Sequence, residues 1–475
     1  MNKTNLLWLT AVAVHTYLFY NQAQGYNAPV FSLVLIVLVG AAHRALLSFR
    51  YWWMGATMQL IAAIAVGWHV SSWLQAIYVC SLFVFVGLTY APRSSLHLAW
   101  LNGLVGAFLG GFANHLPFLR KEFSAQTGKT FQGLFRFKPS FLVLPFSVTT
   151  AFYFLYNWAN PAFSVDFSFF TTHINFLFIG AILIGIVWLC PLFFPWGIES
   201  AVEEDSRRKD ELVRIRKVKK GILPLMLRYQ NQQGVLLFGM LNALISCFIL
   251  FNVLQMLIPD LQQTPKGFSE QVHEGFNALL ISVLVAIWLI MFYFKANQNF
   301  YPKRKRLVQL SLLWIVLNGL LTVFTFYKNA LYIDVFGLTF KRIWVYMALG
   351  LTFGGLLFTF IKIIYLKSNW YLIRRTSWLV YGVLICYGLV DWDRLITWYN
   401  IKEAKNLDMG YITELGPTKL PYLLELIQQK DARIVGFENK IKTQIKNWKY
   451  YHREHQDWQS RTLDEDWLRK IMIEQ

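Results

Sequence analysis

Four consecutive basic residues, Lys303-Arg-Lys-Arg306, stand just ahead of the stretch VQLSLLWIVLNGLLTVFTFY at 308–327. That stretch holds no charged side chain. At 1.5 Å of rise per residue it is long enough to cross a hydrocarbon layer about 30 Å thick. A basic cluster abutting such a run is the signature of a membrane helix entered from its cytoplasmic end.

Working outward, comparable apolar runs occupy 6–21, 30–49, 51–71, 73–90, 96–119, 141–158 and 176–196. A second group covers 235–258, 276–294, 308–327, 345–366 and 377–390. The expectation is an all-α, polytopic transmembrane protein of about 12 spans with a C-terminal helical extramembrane tail.

Composition agrees. The chain of 475 residues is 56% hydrophobic and only 15% charged, with a mean hydropathy of +0.40. A soluble domain carries nearer 25% charge. The 45 Lys and Arg against 26 Asp and Glu give a formal charge of +19. This excess sits in short loops between apolar runs, so it reads as a topology signal and no nucleic-acid partner is expected.

Basic clusters fall at 120–138, at 199–233, at 301–307 and at Lys367, Arg374 and Arg375. Alternating spans put all four on the cytoplasmic side. The same parity sends the N-terminus outward and leaves Arg44 and Arg50 outside, against the charge rule. One of the first five segments is then expected to be re-entrant or to lie flat. Arg207 to Lys220 reads as a cytoplasmic helix suited to anionic lipid, or as solvated charge. The organisation expected is an N-terminal transmembrane region at 1–119, a hairpin with a basic loop at 120–197, a basic loop at 198–233, a transmembrane core at 234–390 and an extracytoplasmic tail at 391–475.

Within the spans ionisable residues are scarce. His15, His69 and His115 are expected as interface residues, and Lys362 as a snorkelling one. Cys80, Cys190, Cys247 and Cys386 all lie in apolar stretches without metal-ligand spacing and read as buried small hydrophobes. His452 and His455 with Glu454 make at most two-thirds of a metal site, and no metal or other cofactor is expected. Gly106 with Gly110 and Gly350 with Gly354 are one helix turn apart and read as packing positions. Phosphate-loop, nucleophile-elbow and metalloprotease signatures are missing from the sequence.

Chemistry gathers in three outer loops. One holds His273 and Glu274, the next Tyr332, Asp334 and Arg342, and the third Asp391, Asp393, Arg394, Tyr399 and Asn400. Alternation places them on one membrane face. There they form either a polar site or an ion-paired collar that holds helices and tail together.

The same loops carry a family resemblance. Tyr332-Ile-Asp-Val-Phe-Gly-Leu-Thr339 with Arg342 and Tyr346 resembles the signature segment of domain of unknown function 4173, which is related to domain of unknown function 4153. His273-Glu-Gly-Phe276 and Asp391-Trp-Asp-Arg-Leu-Ile-Thr-Trp-Tyr-Asn-Ile401 follow the same order of motifs. So do Leu407-Asp408, Tyr411, Leu415-Gly-Pro417 and Pro421. Pro145 and Asn160-Pro161-Ala-Phe163 are similar to an upstream segment in which an Asp often stands at the position of Asn160. The resemblance covers 141–426. It implies a multi-pass bacterial inner-membrane protein and carries no reaction, substrate or catalytic residue.

The function expected is a non-enzymatic sensing or scaffolding module. Its outer tail and loops would bind a protein partner, and its basic loops would meet the bilayer's anionic lipids. Two rivals remain open: a transporter or lipid flippase lined by Asn114 and His115, and a membrane enzyme acting on a lipid-linked substrate through Glu274, Asp334 and Arg342.

Overall fold

A computed structural model describes residues 2–69, 71–110, 175–214, 222–257, 268–405, 407–451 and 457–472, with positions 149, 152 and 156. Side chains at 176, 222–224, 255–257 and 268–278 lie outside the description. The described chain is helical, with one isolated two-residue bridge between Glu211 and Lys367 and no named strand. It divides into two compact units. The first is Met1–Asp205 with Gln456–Leu463, and the second is Ser206–His455 with Asp464–Gln475.

In the first unit the helices are α1 (Lys3–Phe19), α2 (Asn27–Ala42), α3 (Arg50–Trp68), α4 (Ser72–Tyr90), α5 (Leu96–Val105, continued by a π-helical turn Gly106–Gly110), α6 (Phe176–Phe193) and α7 (Glu199–Arg207). Their starts are locally encoded. The Ser71 hydroxyl accepts from Leu74 N–H at 3.2 Å ahead of α4, and the Asn175 amide oxygen accepts from Phe178 N–H at 3.0 Å ahead of α6. Small residues bring α4 and α5 together: a Cβ on Gly87 would overlap the Ala99 carbonyl, and one on Gly103 that of Phe83. Gly106 and Gly110 rest against Pro191 and Trp196, as the packing reading of that pair expects. Of the other pair, Gly354 meets Leu379 while Gly350 faces open space.

Helix direction corrects the expected topology of this half. Trp8 stacks edge-on against Phe194 at 5.7 Å, and Tyr20 meets Phe178 at 5.1 Å, so α1 and α6 are antiparallel. His43 Nε2 lies 3.1 Å from the Leu192 carbonyl, and Asp205 accepts from Ser95 N–H at 2.7 Å and from its hydroxyl at 2.8 Å. The turns at 43–49 and 91–95 therefore share an end with the start of the basic segment after α6. Arg44, Arg50 and Arg93 belong to that basic end and do not oppose it. The alternation rests on 96–119 and 141–158 as single crossings, and residues 111–148 lie outside the described ones. The basic cluster at 120–138, His115, Asn114 and Pro145 fall there too. Consecutive helices among α1 to α5 pack against one another, and the fifth apolar segment is described only as far as Gly110.

The second unit contains α8 (Ile222–Leu257), α9 (Phe268–Tyr293), α10 (Lys305–Phe336), α11 (Phe340–Ile364) and α12 (Asn369–Gly388). After them come short tail helices: α13 (Trp392–Lys402), α14 (Met409–Glu414), α15 (Leu420–Gln428), α16 (Glu438–Tyr451) and α17 (Leu463–Met472). Phe238, Val283, Ile290, Leu307, Leu349 and Ile363 anchor one core among α8 to α11, and Ile412, Leu423, Ile434 and Ile441 a second within the tail. Among the described residues, four helices are long and apolar enough to cross a membrane, within Ser72–Tyr90, Leu225–Leu254, Lys305–Phe336 and Phe340–Ile364. Asn27–Ala42, Leu96–Gly110, Leu177–Phe193 and Leu279–Tyr293 are shorter apolar helices.

Three local expectations change. The basic segment after α7 leaves the helix at Arg207. Arg374 pairs with Asp210 at 2.6 Å and Lys367 with Glu211 at 3.0 Å, and Ser368 N–H bonds the Asp210 carbonyl, which draws these residues into the bridge. Lys362 does not snorkel. It is 1% exposed and donates to the Phe294 carbonyl at 2.8 Å, satisfying the end of α9. Among the cysteines only Cys190 is buried, and the other three sit on outward helix faces.

Candidate functional site

The end of the second unit away from its basic loops gathers the end of α10, the start of α11 and the tail. Gly337 ends α10 with φ of +78°, a conformation that favours glycine, and a Cβ there would come within 2.5 Å of Asn400 Oδ1. Asn400 is buried and reads the same turn twice. Its Oδ1 accepts from Leu338 N–H at 2.5 Å, and its Nδ2 donates to the Leu338 carbonyl at 2.9 Å. This pair of bonds joins α13 to the α10–α11 corner as a strand pairing would.

Arg342 lies beneath that corner, 9% exposed. Its Nη1 donates to the Phe336 carbonyl at 2.8 Å and to the Gly337 carbonyl, while its guanidinium covers the Tyr332 ring at 4.3 Å. A cation here meets the negative end of the α10 dipole and the orphan carbonyls of its last turn. Asn329 Nδ2 donates to the Arg342 carbonyl at 3.2 Å, and Phe340 N–H donates to the Tyr411 hydroxyl at 3.0 Å.

Asp334 points away. It is exposed and pairs with exposed Lys405 at 2.5 Å, a contact that water screens. Tyr399 lies near enough that, after burial, the Asp334 charge helps hold its phenol above the ordinary range. Arg342 and Asp334 thus serve different partners and do not converge. His273 and Glu274 fall on α9, and their side chains lie outside the described ones.

The third loop is equally committed. Asp391 caps α13 by accepting from Arg394 N–H at 3.1 Å, and Thr418 donates to the same oxygen at 3.3 Å. Asp393 Oδ1 accepts from Gly416 N–H at 3.0 Å, a contact so close that a Cβ on Gly416 would fall 2.5 Å from Oδ2. Burial raises the Asp393 carboxyl above its usual range, and the Asp391 charge adds to this. The Gly416 bond and the Lys419 ammonium oppose it. Arg394 covers the Trp467 ring at 4.3 Å, tying α13 to α17.

Sequence reading missed two members of this assembly. Lys419 is 4% exposed and donates to the Thr413 carbonyl at 2.7 Å and to that of Leu415; burial pushes its ammonium down to about 8. Asp464, in the first turn of α17, is 5% exposed. Its Oδ2 and that of Asp391 are both buried without a hydrogen-bond partner. Burial first, then the Asp391 charge, raises the Asp464 carboxyl to about 7, against the pull of Arg394. Gly416-Pro417 and Pro421 flag a fixed turn around Lys419, but Asp464 has no local signal.

The first unit meets the tail on its non-basic end. Gln22 Nε2 donates to Asp457 at 2.6 Å, Ser460 Oγ donates to Gln22 Oε1 at 2.5 Å, and Tyr26 N–H donates to the Arg461 carbonyl at 2.9 Å. A Cβ on Gly25 would overlap the Arg461 carbonyl, so that residue admits the tail. No cluster of three or more metal-ligating side chains exists among the described residues, and His452, Glu454 and His455 lie outside them.

The family model described as "Domain of unknown function (DUF4153)" matches residues 54–426. The match ends where the motif resemblance ends, and it reaches upstream into α3, beyond the segment in which motifs were recognised. Its family is the stated relative of the one those motifs suggested. No curated protein and no solved structure matches the chain.

Proposed function

We propose, for a chain that belongs to the domain of unknown function 4153 family, a multi-pass inner-membrane protein that acts as a non-enzymatic sensing or scaffolding module. Its spans number about twelve, a count that adds further apolar runs of the sequence to the four long and four shorter apolar helices among the described residues. Its basic ends face the cytoplasm, and its helical tail forms an outer platform for a protein partner. The observation that carries this reading is the fate of the outer polar residues. Arg342, Asn400, Asp393 and Asp391 are engaged by backbone groups of helix ends and tail turns, which supports a structural collar, hydrogen-bonded where ion pairs were expected, over a catalytic cleft.

The test pairs thermal melting of the purified chain with complementation of whatever phenotype deletion of the gene causes. Alanine replaces Asp334, Arg342, Asn400 and Asp393 singly. The collar predicts that Arg342→Ala, Asn400→Ala and Asp393→Ala lose stability and complementation together, while Asp334→Ala alters neither. A variant that melts like the parent yet fails to complement would instead favour the enzyme or transporter reading.

A further inference from the structure

The corner between α2 and α3 carries cations that pair with no acid among the described residues. Arg44 opens a 3-10 turn, Arg44–Ser48, and Arg50 starts α3 with its guanidinium 5.2 Å from the Tyr51 ring centre. Arg93, from the turn after α4, covers Phe49 at 5.2 Å. None of the three has an ion-pair partner among the described residues. Three arginines left to solvent and aromatic faces make a strongly positive corner on an otherwise apolar bundle.

An open groove of about 420 Å³ leads away from Arg44 between α2 and α3. Leu33, Val37, Trp53 and Leu60 wall it, and Gly40 and Ala56 lie deepest. Gly40 makes the space: a Cβ there would stand 3.2 Å from Leu47 and 3.7 Å from Trp52. From Leu33 to Ala42 the groove follows α2 for about 13 Å, at 1.5 Å per residue. A plain lipid-facing helix surface is convex. This one is concave, lined almost entirely by apolar side chains, and ends at an exposed guanidinium.

We propose that this groove binds one anionic glycerophospholipid, with its phosphate on Arg44 and an acyl chain laid between α2 and α3. The guanidinium matches phosphate geometry, and Arg50 and Arg93 add positive charge at the same corner, while the carboxylate of Asp205, at that end of the unit, is taken up by Ser95. A free phosphate would leave the groove empty, and a zwitterionic lipid would gain less from the three charges. The proposal rests on the membrane-spanning reading and adds a ligand class to a surface outside the collar.

Native mass spectrometry of the full-length chain in detergent, with equal phosphatidylglycerol and phosphatidylcholine, tests it. The expected result is a phosphatidylglycerol adduct in excess, lowered about fivefold by Arg44→Gln, the worth of one cation near an anionic surface. Phosphatidylcholine, whose phosphate is balanced by its own choline, should lose less than phosphatidylglycerol from that substitution. Thr57→Trp, which fills the groove from an exposed position, should lower both adducts, with melting temperature as the folding control. A phosphatidylglycerol excess that survives both substitutions, or no excess at all, overturns the site. Alkaline extraction of membranes separates the two failures: a chain that resists extraction keeps the membrane reading while losing this one, and a chain that is released loses both.

Discussion

Arg342 shows how a residue that looks catalytic is used. In the sequence it stands among carboxylates in a polar loop. In the fold its guanidinium meets carbonyl oxygens of Phe336 and Gly337 and the face of Tyr332. Removing it strands buried acceptors at a helix end. Arg342→Ala should therefore cost about 2–3 kcal/mol, the range for a lost charge-assisted bond, read as a lower melting temperature. An unchanged melt would mean that water replaces the guanidinium freely. The residue types were legible in the sequence, because Asp, Arg and Asn beside a glycine turn mark a polar corner. Their partners were not, since Asn400 and Leu338 are distant in sequence and meet through backbone atoms that no side-chain pattern reports.

At the scale of elements, α17 is held by a buried carboxyl pair. Asp464 and Asp391 present unpartnered oxygens, and Arg394, Glu465 and Asp393 supply the surrounding charge. The Asp464 pKa is raised from 3.8 to about 7, so folding favours its protonated form. The resulting stabilisation is present in acid and is lost as pH rises through about 7. The tail of the parent should resist proteolysis better at pH 5.5 than at pH 8, and Asp464→Asn should flatten that difference. A parent whose tail is cut equally fast at both would show that Asp464 takes up no proton in this range. Such a pair is invisible to spacing rules, because its members are brought together only after the tail has folded. The helices themselves were readable. Ser71, Ser368, Asp391 and Asp408 each cap the element that follows, and the apolar runs of the second half became α8 to α12 in the expected order.

For the whole molecule, the charge rule and the parity count disagree over Arg44 and Arg50. The contacts of His43 with Leu192 and of Ser95 with Asp205 return them to the basic end of the first unit. In each unit the tail segment docks on the end away from the basic turns, through Gln22 and Tyr26 in one and Leu338 and Phe340 in the other. The family match over 54–426 takes in helices of both units and the second unit's docking contacts, while those of the first unit lie outside it.

Impermeant maleimide labelling of intact cells probes this arrangement most directly, in a background lacking Cys80, Cys190, Cys247 and Cys386. Single cysteines would replace Ser48 and Lys303 at the basic ends and Lys440 in the tail. Lys440→Cys should react from outside, while Ser48→Cys and Lys303→Cys should react only after the membrane is opened. Labelling of Ser48→Cys in intact cells, or of Lys440→Cys and Lys303→Cys from the same side, would contradict it.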